Sequence, residues 1–243
     1  MAASTSSFVP HIQLLCLYKQ DSEAFEEARQ ARKLPSSVSY TVHNTPLDSL
    51  DEDVKFDTVV SPANSYGRLD GAFDDAISRA FSPTDDYEAL THAAQKRLYE
   101  QWRGFAPPGS CTIVRIPEEF HERSRNVWGC KRVALCPTMR VPMNVNWDRE
   151  VIYECVWSLL CAIDNHNRDV RAGKAPEGEE EIRTILMTPL ATGVGRVPIK
   201  RWAHQAVLAL KHFVEASENP EKWSQMGWQD FAKSCTEVQQ TWM

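Results

Sequence analysis

The sequence predicts an α/β fold built as a layered sheet, and three observations carry that expectation. Apolar segments of strand length alternate along the chain with helix-patterned segments of roughly ten to twenty residues, the order that gives strands covered by crossover helices. The 243 residues, 42% hydrophobic and 25% charged, have the composition of a globular chain long enough to bury one large core. The longest apolar stretch, 156–163, falls well short of the roughly 18 to 20 residues that a membrane span requires.

Each element follows from local pattern. Residues 11–19 form a first apolar run, ended by Asp21 and Ser22, which cap an acidic-first helix running to 33. Leu34-Pro35-Ser36-Ser37 is a break; 38–42 alternates as a strand does, and 46–53 is a polar connection. Residues 57–60 read as a buried strand stopped by Ser61 and Pro62. A helical pattern covers 71–81, and Pro83, favoured in a first turn, opens a longer helix to about 103. Pro107-Pro108-Gly109 is a turn. Short strands at 111–116 and 132–136 flank a polar, aromatic insertion that includes His121 and Trp128. Residues 148–165 make an amphipathic helix, and 167–181 a charged loop expected to be mobile. The last strand is 182–187, and its helix 199–216. Residues 220–243 carry Trp223, Trp228 and Trp242, which predict a helix docked on the body. The expected organisation is a flexible tail over 1–7, one domain over 8–219 and a Trp-rich helical extension over 220–243.

Composition narrows the function classes. Thirty-three acidic against 27 basic residues give a charge of -6, which argues against a broad nucleic-acid surface. Residues 1–7 lack the basic and apolar regions of a secretion signal. Cysteines 16, 111, 130, 136, 155, 161 and 235 are odd in number, scattered and mostly apolar in context, as thiols of a reducing cytosol or nucleus are. The histidines do not fall at ligand spacing with them, so no metal and no cofactor is expected.

Two segments, each after a strand and before a helix, carry chemistry. In the first, 59–77, Asn64 offers an acceptor and a donor suited to sugar hydroxyls, and Gly67 and Gly71 permit close backbone approach. Asp74 and Asp75 fall in the first helical turn, where carboxylates also complement the helix dipole by about 0.3–1 kcal/mol. Asp70 could serve as an N-cap. In the second, 187–198, Gly193-Val194-Gly195 sits where free backbone amides bind phosphate, with the Thr192 hydroxyl and the Arg196 charge beside it. It is neither a dinucleotide fingerprint, since Pro198 holds the third glycine position, nor a P-loop, since no Gly-Lys-Ser/Thr follows. No Gly-x-Ser-x-Gly elbow is present.

Together these motifs resemble the macro domain. Asn64 to Ile77 matches that family's first ligand loop without a gap, and Gly193 to Pro198 its phosphate loop. Residues 109–114 and 133–138 resemble the two intervening strands, so the resemblance spans about 40–215. It is nearest to a macro-like branch with Ser-Pro-Ala-Asn-Ser and Gly-Val-Gly-Arg motifs. The resemblance implies a three-layer α/β/α sandwich with a mixed, mostly parallel central sheet. It implies binding of ADP-ribose, free or on an ADP-ribosylated protein, in a cytoplasmic or nuclear chain.

Carried over residue by residue, the resemblance puts Asn64 on the distal ribose with Asp74 beside it, and the backbone amides of Gly193, Val194 and Gly195 on the diphosphate. Ala63, Gly71, Thr192, Arg196 and Val197 are further ligand-binding candidates, and Asn44 stands where the family has an acidic residue for adenine. Hydrolysis at the distal ribose would use Asn64 to orient the sugar and Asp74 or Asp70 to position or deprotonate a water. Two departures stand out. Asp70 lies in the family's glycine run, where an inward carboxylate about 4 Å from a diphosphate would cost about 4 kcal/mol at an effective dielectric of 20. It therefore faces away, caps the helix or serves the distal ribose. Gly195 and Val197 stand where hydrolytic members carry an aromatic pair. Three readings remain: a reader of ADP-ribose, an ADP-ribosyl hydrolase, and a degenerate macro fold used as an interaction scaffold.

Overall fold

The computed structural model describes residues 8–242; the expected tail over 1–7 lies outside them. Among the described residues six strands form one sheet: β1 (His11–Leu15), β2 (Tyr40–His43), β3 (Thr58–Ser61), β4 (Thr112–Arg115), β5 (Arg132–Leu135) and β6 (Thr184–Met187). Their order is β2-β1-β6-β3-β5-β4. Every neighbouring pair is parallel except β4–β5. The last strand in the chain is thus inserted between the first and the third, with Ile12 beside Ile185 and Val59 beside Leu186.

Helices cover both faces. Along each strand successive side chains point to opposite sides, and the two cores divide accordingly. Ile12, Leu14, Val60, Ala134, Ile185 and Met187 face one core with α1 (Lys19–Arg32), α5 (Val151–Arg171) and α6 (Ile199–Glu218). Leu15, Val59, Val133, Leu135 and Leu186 face the other, with α2 (Phe73–Phe81) and α3 (Ala89–Trp102). The fold is a three-layer α/β/α sandwich on a mixed, mostly parallel sheet. Strands buried on both faces read as nearly continuous apolar runs, as Val133-Ala134-Leu135 of β5 does; its first residue, Arg132, is buried too and is paired with Glu179.

Several boundaries differ from the sequence expectation. Helix α1 begins at Lys19, so Asp21 and Ser22 lie inside its first turn rather than capping it. Pro83 starts no helix: the amides of Asp86 and Ala89 close successive turns on Pro83 and Asp86, and α3 begins only at Ala89. The insertion between β4 and β5 holds one short helix, α4 (Glu118–His121). Helix α5 extends to Arg171, taking up part of the loop expected over 167–181. The rest of that loop is tied to the body by side-chain contacts. Glu179 pairs with Arg132, 3% exposed, and with Arg115, while Asn167 bonds the backbone of Ile182 in both directions. A charged sequence alone does not reveal that a strand arginine waits for one of its carboxylates.

Beyond α6, α7 (Pro220–Trp223) and α8 (Trp228–Gln239) follow. Trp223 stacks on Trp157 of α5 at 5.7 Å between ring centroids, whereas Trp228 is 86% exposed. All seven cysteines are free, five of them buried. Among the described residues no helix is long and apolar enough to cross a membrane.

Candidate functional site at the sheet's C-terminal edge

Because β2, β1, β6, β3 and β5 run parallel, the segments 44–46, 16–18, 188–198, 62–72 and 136–150 all leave the same edge of the sheet. Strands β3 and β6 are neighbours, so the segments holding Asn64 and Gly195 emerge side by side. Clefts between such strand-to-helix loops are where open α/β sheets bind ligands.

The 188–198 loop is held by its own backbone. The amide of Val197 donates to the carbonyl of Ala191 and that of Arg196 to Gly193, each at 3.0 Å. Ala191 and Arg196 take positive φ, 57° and 54°. A Cβ on Gly195 would come within 2.5 Å of the Ala191 carbonyl oxygen, so the tight chain reversal requires glycine there; Gly193 faces open space. The amides of Thr192, Gly193, Val194 and Gly195 have no acceptor among the described residues. Four consecutive free donors ahead of a helix N-terminus make an anion cradle. Arg196 is exposed and in no ion pair among the described residues. The Thr192 hydroxyl is turned back onto the Pro189 carbonyl at 3.2 Å, and Val197 is buried in the core.

The 62–72 loop is organised around Asn64. Its carboxamide oxygen accepts from the amides of Tyr66 (3.1 Å) and Arg68 (3.4 Å), and its nitrogen donates to the Arg68 carbonyl (2.8 Å). Asn64 therefore shapes the loop, with one amide hydrogen left for a ligand. Ala63 is buried, its carbonyl accepting from Thr138, and Gly71 is exposed. Next to it Ala72 holds φ 51° and ψ −122°, a conformation L-residues avoid, at the entrance to α2.

The three carboxylates of this region have different surroundings. Asp70 is exposed and bonded to Arg68 at 2.8 Å, and Arg68 also reaches Glu88 at 3.0 Å. Asp75 is held by Arg79 (2.8 Å) and Tyr87 (2.7 Å), which lower its pKa, Arg79 most. Asp74 is buried, and its carboxylate accepts from the Ser61 hydroxyl at 2.6 Å. Burial pushes its carboxyl up to about 7; the Ser61 bond opposes this and the Asp70 charge adds to it. Such a group holds or releases a proton near neutrality, as general acids and bases do.

At the β1–β2 end, Asn44 is exposed and its oxygen accepts from Ser22 at 2.9 Å. Nearby Asp21 is buried, and burial raises its pKa while the Tyr18 backbone opposes the shift.

Sequence reasoning missed the 136–150 segment. Met139 bridges to Asn64 and its carbonyl accepts from Ser65 (3.0 Å), while the Val145 amide donates to Gly195 (2.9 Å), so it ties both walls together. Seven large apolar side chains exposed on this edge belong to its loops: Leu17, Tyr18, Tyr66, Val141, Met143, Trp147 and Val194. Phe105 joins them, with the Arg140 guanidinium 4.8 Å above its ring and Tyr66 edge-on at 5.8 Å. Apolar residues in an aperiodic Pro/Asn-containing stretch after a strand were the available signal. Among the described residues, no group of three or more His, Cys, Asp or Glu could hold a metal ion.

No family model matches the chain, and no curated protein matches it. Solved structures of a macrodomain from Oceanobacillus iheyensis are similar to it. A point mutant with ADPR has a TM-score of 0.47 and 14% identity over 78% of this chain and 88% of that one. The macrodomain with ADP gives 0.46 and 16% over 79% and 88%. Another point mutant gives 0.46 and 17% over 68% and 70%. The likeness is one of strand and helix arrangement, at sequence identities that leave residue roles to be decided by this chain's own geometry.

Proposed function

We propose that the chain binds ADP-ribose, free or protein-linked, in the cleft between the 62–72 and 188–198 loops. One observation supports this above the others: four consecutive free amides, Thr192 to Gly195, stand before α6 and beside the Asn64 loop. A diphosphate supplies acceptors for such donors, and Arg196 supplies the countercharge. The distal ribose would lie over Ala63, Asn64 and Gly71, near Asp74. At the adenine end the Asn44 oxygen is engaged by Ser22. Asn44 would then meet the ring with its amide nitrogen, and Asp21 offers a carboxylate for the exocyclic amine.

Buried Asp74 favours a second reading, hydrolysis at the distal ribose, because a carboxyl poised near 7 can take a proton from water at neutral pH. Asp70, paired with Arg68, would tune that proton rather than move it.

Calorimetric titration with ADP-ribose and with AMP tests the binding reading. ADP-ribose should bind and AMP far more weakly, since AMP lacks the second phosphate and the distal ribose. No heat at millimolar ADP-ribose would leave the scaffold reading. Release of ADP-ribose from a modified protein, lost in Asp74→Asn, would establish turnover.

A further inference from the structure

The far side of the 136–150 loop is fastened by residues of α6 and of the segment after α8. Arg201, in the first turn of α6 and buried, donates from Nη1 to the Asn146 carbonyl (2.9 Å) and from Nη2 to the Trp242 carbonyl (3.1 Å). One turn later Gln205 donates from Nε2 to the Arg149 carbonyl (2.5 Å) and the Thr241 hydroxyl (2.9 Å). Trp242 closes the circuit: its Nε1 donates to Glu150 (3.1 Å), and the Arg149 guanidinium lies 5.1 Å from its ring centroid. From 140 to 150 only Val145 is buried, so the loop has little apolar anchorage of its own. Its position depends on these polar contacts. Val145 then passes that position on, since its amide holds the Gly195 carbonyl at 2.9 Å.

We infer that Trp242 and Arg201 are positioning residues for the cleft, setting the Gly195 peptide and its neighbouring free amides through the 140–150 loop. The Gly195 peptide is held on one side by Val145 and is followed by the Arg196 and Val197 amides, which bond back to Gly193 and Ala191. A displacement of Val145 therefore reaches the orientation of the donor run and not merely its solvent cover. The affinity consequence rests on the functional reading above; the mechanical one does not.

The experiment uses Trp242→Ala, Trp242→Phe and, as a global-stability control, Ile163→Ala, which truncates a core side chain of α5 away from the loop. Amide hydrogen exchange, thermal midpoint and ADP-ribose titration are read on each. Trp242→Ala should speed exchange over 140–150 and also at Arg196 and Val197, whose bonded amides Trp242 does not touch, and weaken ADP-ribose about ten-fold. Trp242→Phe, which keeps the ring beneath Arg149, should restore most of both. Ile163→Ala should lower the midpoint and leave exchange in these segments and the affinity unchanged. Unchanged exchange at Arg196 and Val197 in Trp242→Ala overturns the inference, as does undiminished affinity in a chain that binds. If the native chain takes up no ADP-ribose, the functional reading falls, and the exchange at Arg196 and Val197 still decides the positioning role.

Discussion

The Ser61 hydroxyl donates a 2.6 Å hydrogen bond to Oδ1 of Asp74, joining the last residue of β3 to the second residue of α2 beneath the Asn64 loop. The Asp74 carboxyl, pushed up to about 7 by burial, is more readily protonated in the folded than in the unfolded chain. The folded state then binds more protons between about pH 4 and 7, so this group's contribution to stability falls as pH rises through that window. The whole difference is about 4 kcal/mol at most. Asp74→Asn keeps an acceptor for Ser61 and removes the charge. Denaturant unfolding should show it more stable than the native chain at pH 8 and indistinguishable below pH 4; equal stability at both would contradict the burial of an ionisable group.

The two glycines of the 188–198 loop should separate folding from binding. Gly195→Ala forces a Cβ to within 2.5 Å of a backbone oxygen, which should cost about 1–3 kcal/mol as other overpacked sites do and lower the thermal midpoint. Gly193→Glu enters open space, so the midpoint should hold while ADP-ribose binding is lost to bulk and charge on the amide cradle. Retained affinity would place the diphosphate elsewhere.

Ala72 offers a stabilising substitution. Its φ of 51° with ψ of −122° is open to glycine, so Ala72→Gly should gain about 1 kcal/mol in chemical denaturation by relieving backbone strain. A loss would mean that the added chain entropy of glycine outweighs that relief.

Glu179 is the carboxylate of the loop before β6 that meets a buried arginine. Glu179→Gln leaves Arg132, 3% exposed, without its charge partner, and breaking a buried pair from one side costs about 3–5 kcal/mol. Amides from 172 to 183 should exchange faster, and the unfolding midpoint should fall. Little change in either would show that the Glu180 carbonyl, bonded to Arg132 at 3.0 Å, suffices alone.

What could be seen in the sequence was what local pattern encodes. The strand runs, the Asn64 and Gly193–Gly195 motifs and the layered α/β class all come from residues close in the chain. What escaped depended on sheet order. Nothing near Val145 shows that β5 will lie two strands from β6, and hence that its loop reaches Gly195. The several fates of Asp70, Asp74 and Asp75 were hidden for the same reason: Glu88, Ser61 and Tyr87, which help set them, lie 12 to 18 residues away and belong to other elements. Asp70 was the most nearly legible, since Arg68 stands two positions before it.

The place of β6 also dictates how the chain can be assembled. Its partner on one side, β1, is paired in the register His11 to Thr184, and on the other side it meets β3. A nascent chain that has not yet reached residue 184 can form the ribbon β2-β1 and the ribbon β3-β5-β4, but no strand pairing joins them. Each half then presents an uncovered parallel edge until translation delivers the strand that closes it, a long-range pairing that slows folding and invites aggregation. Ribosome-bound intermediates that stop short of β6 should therefore be the species most dependent on chaperones.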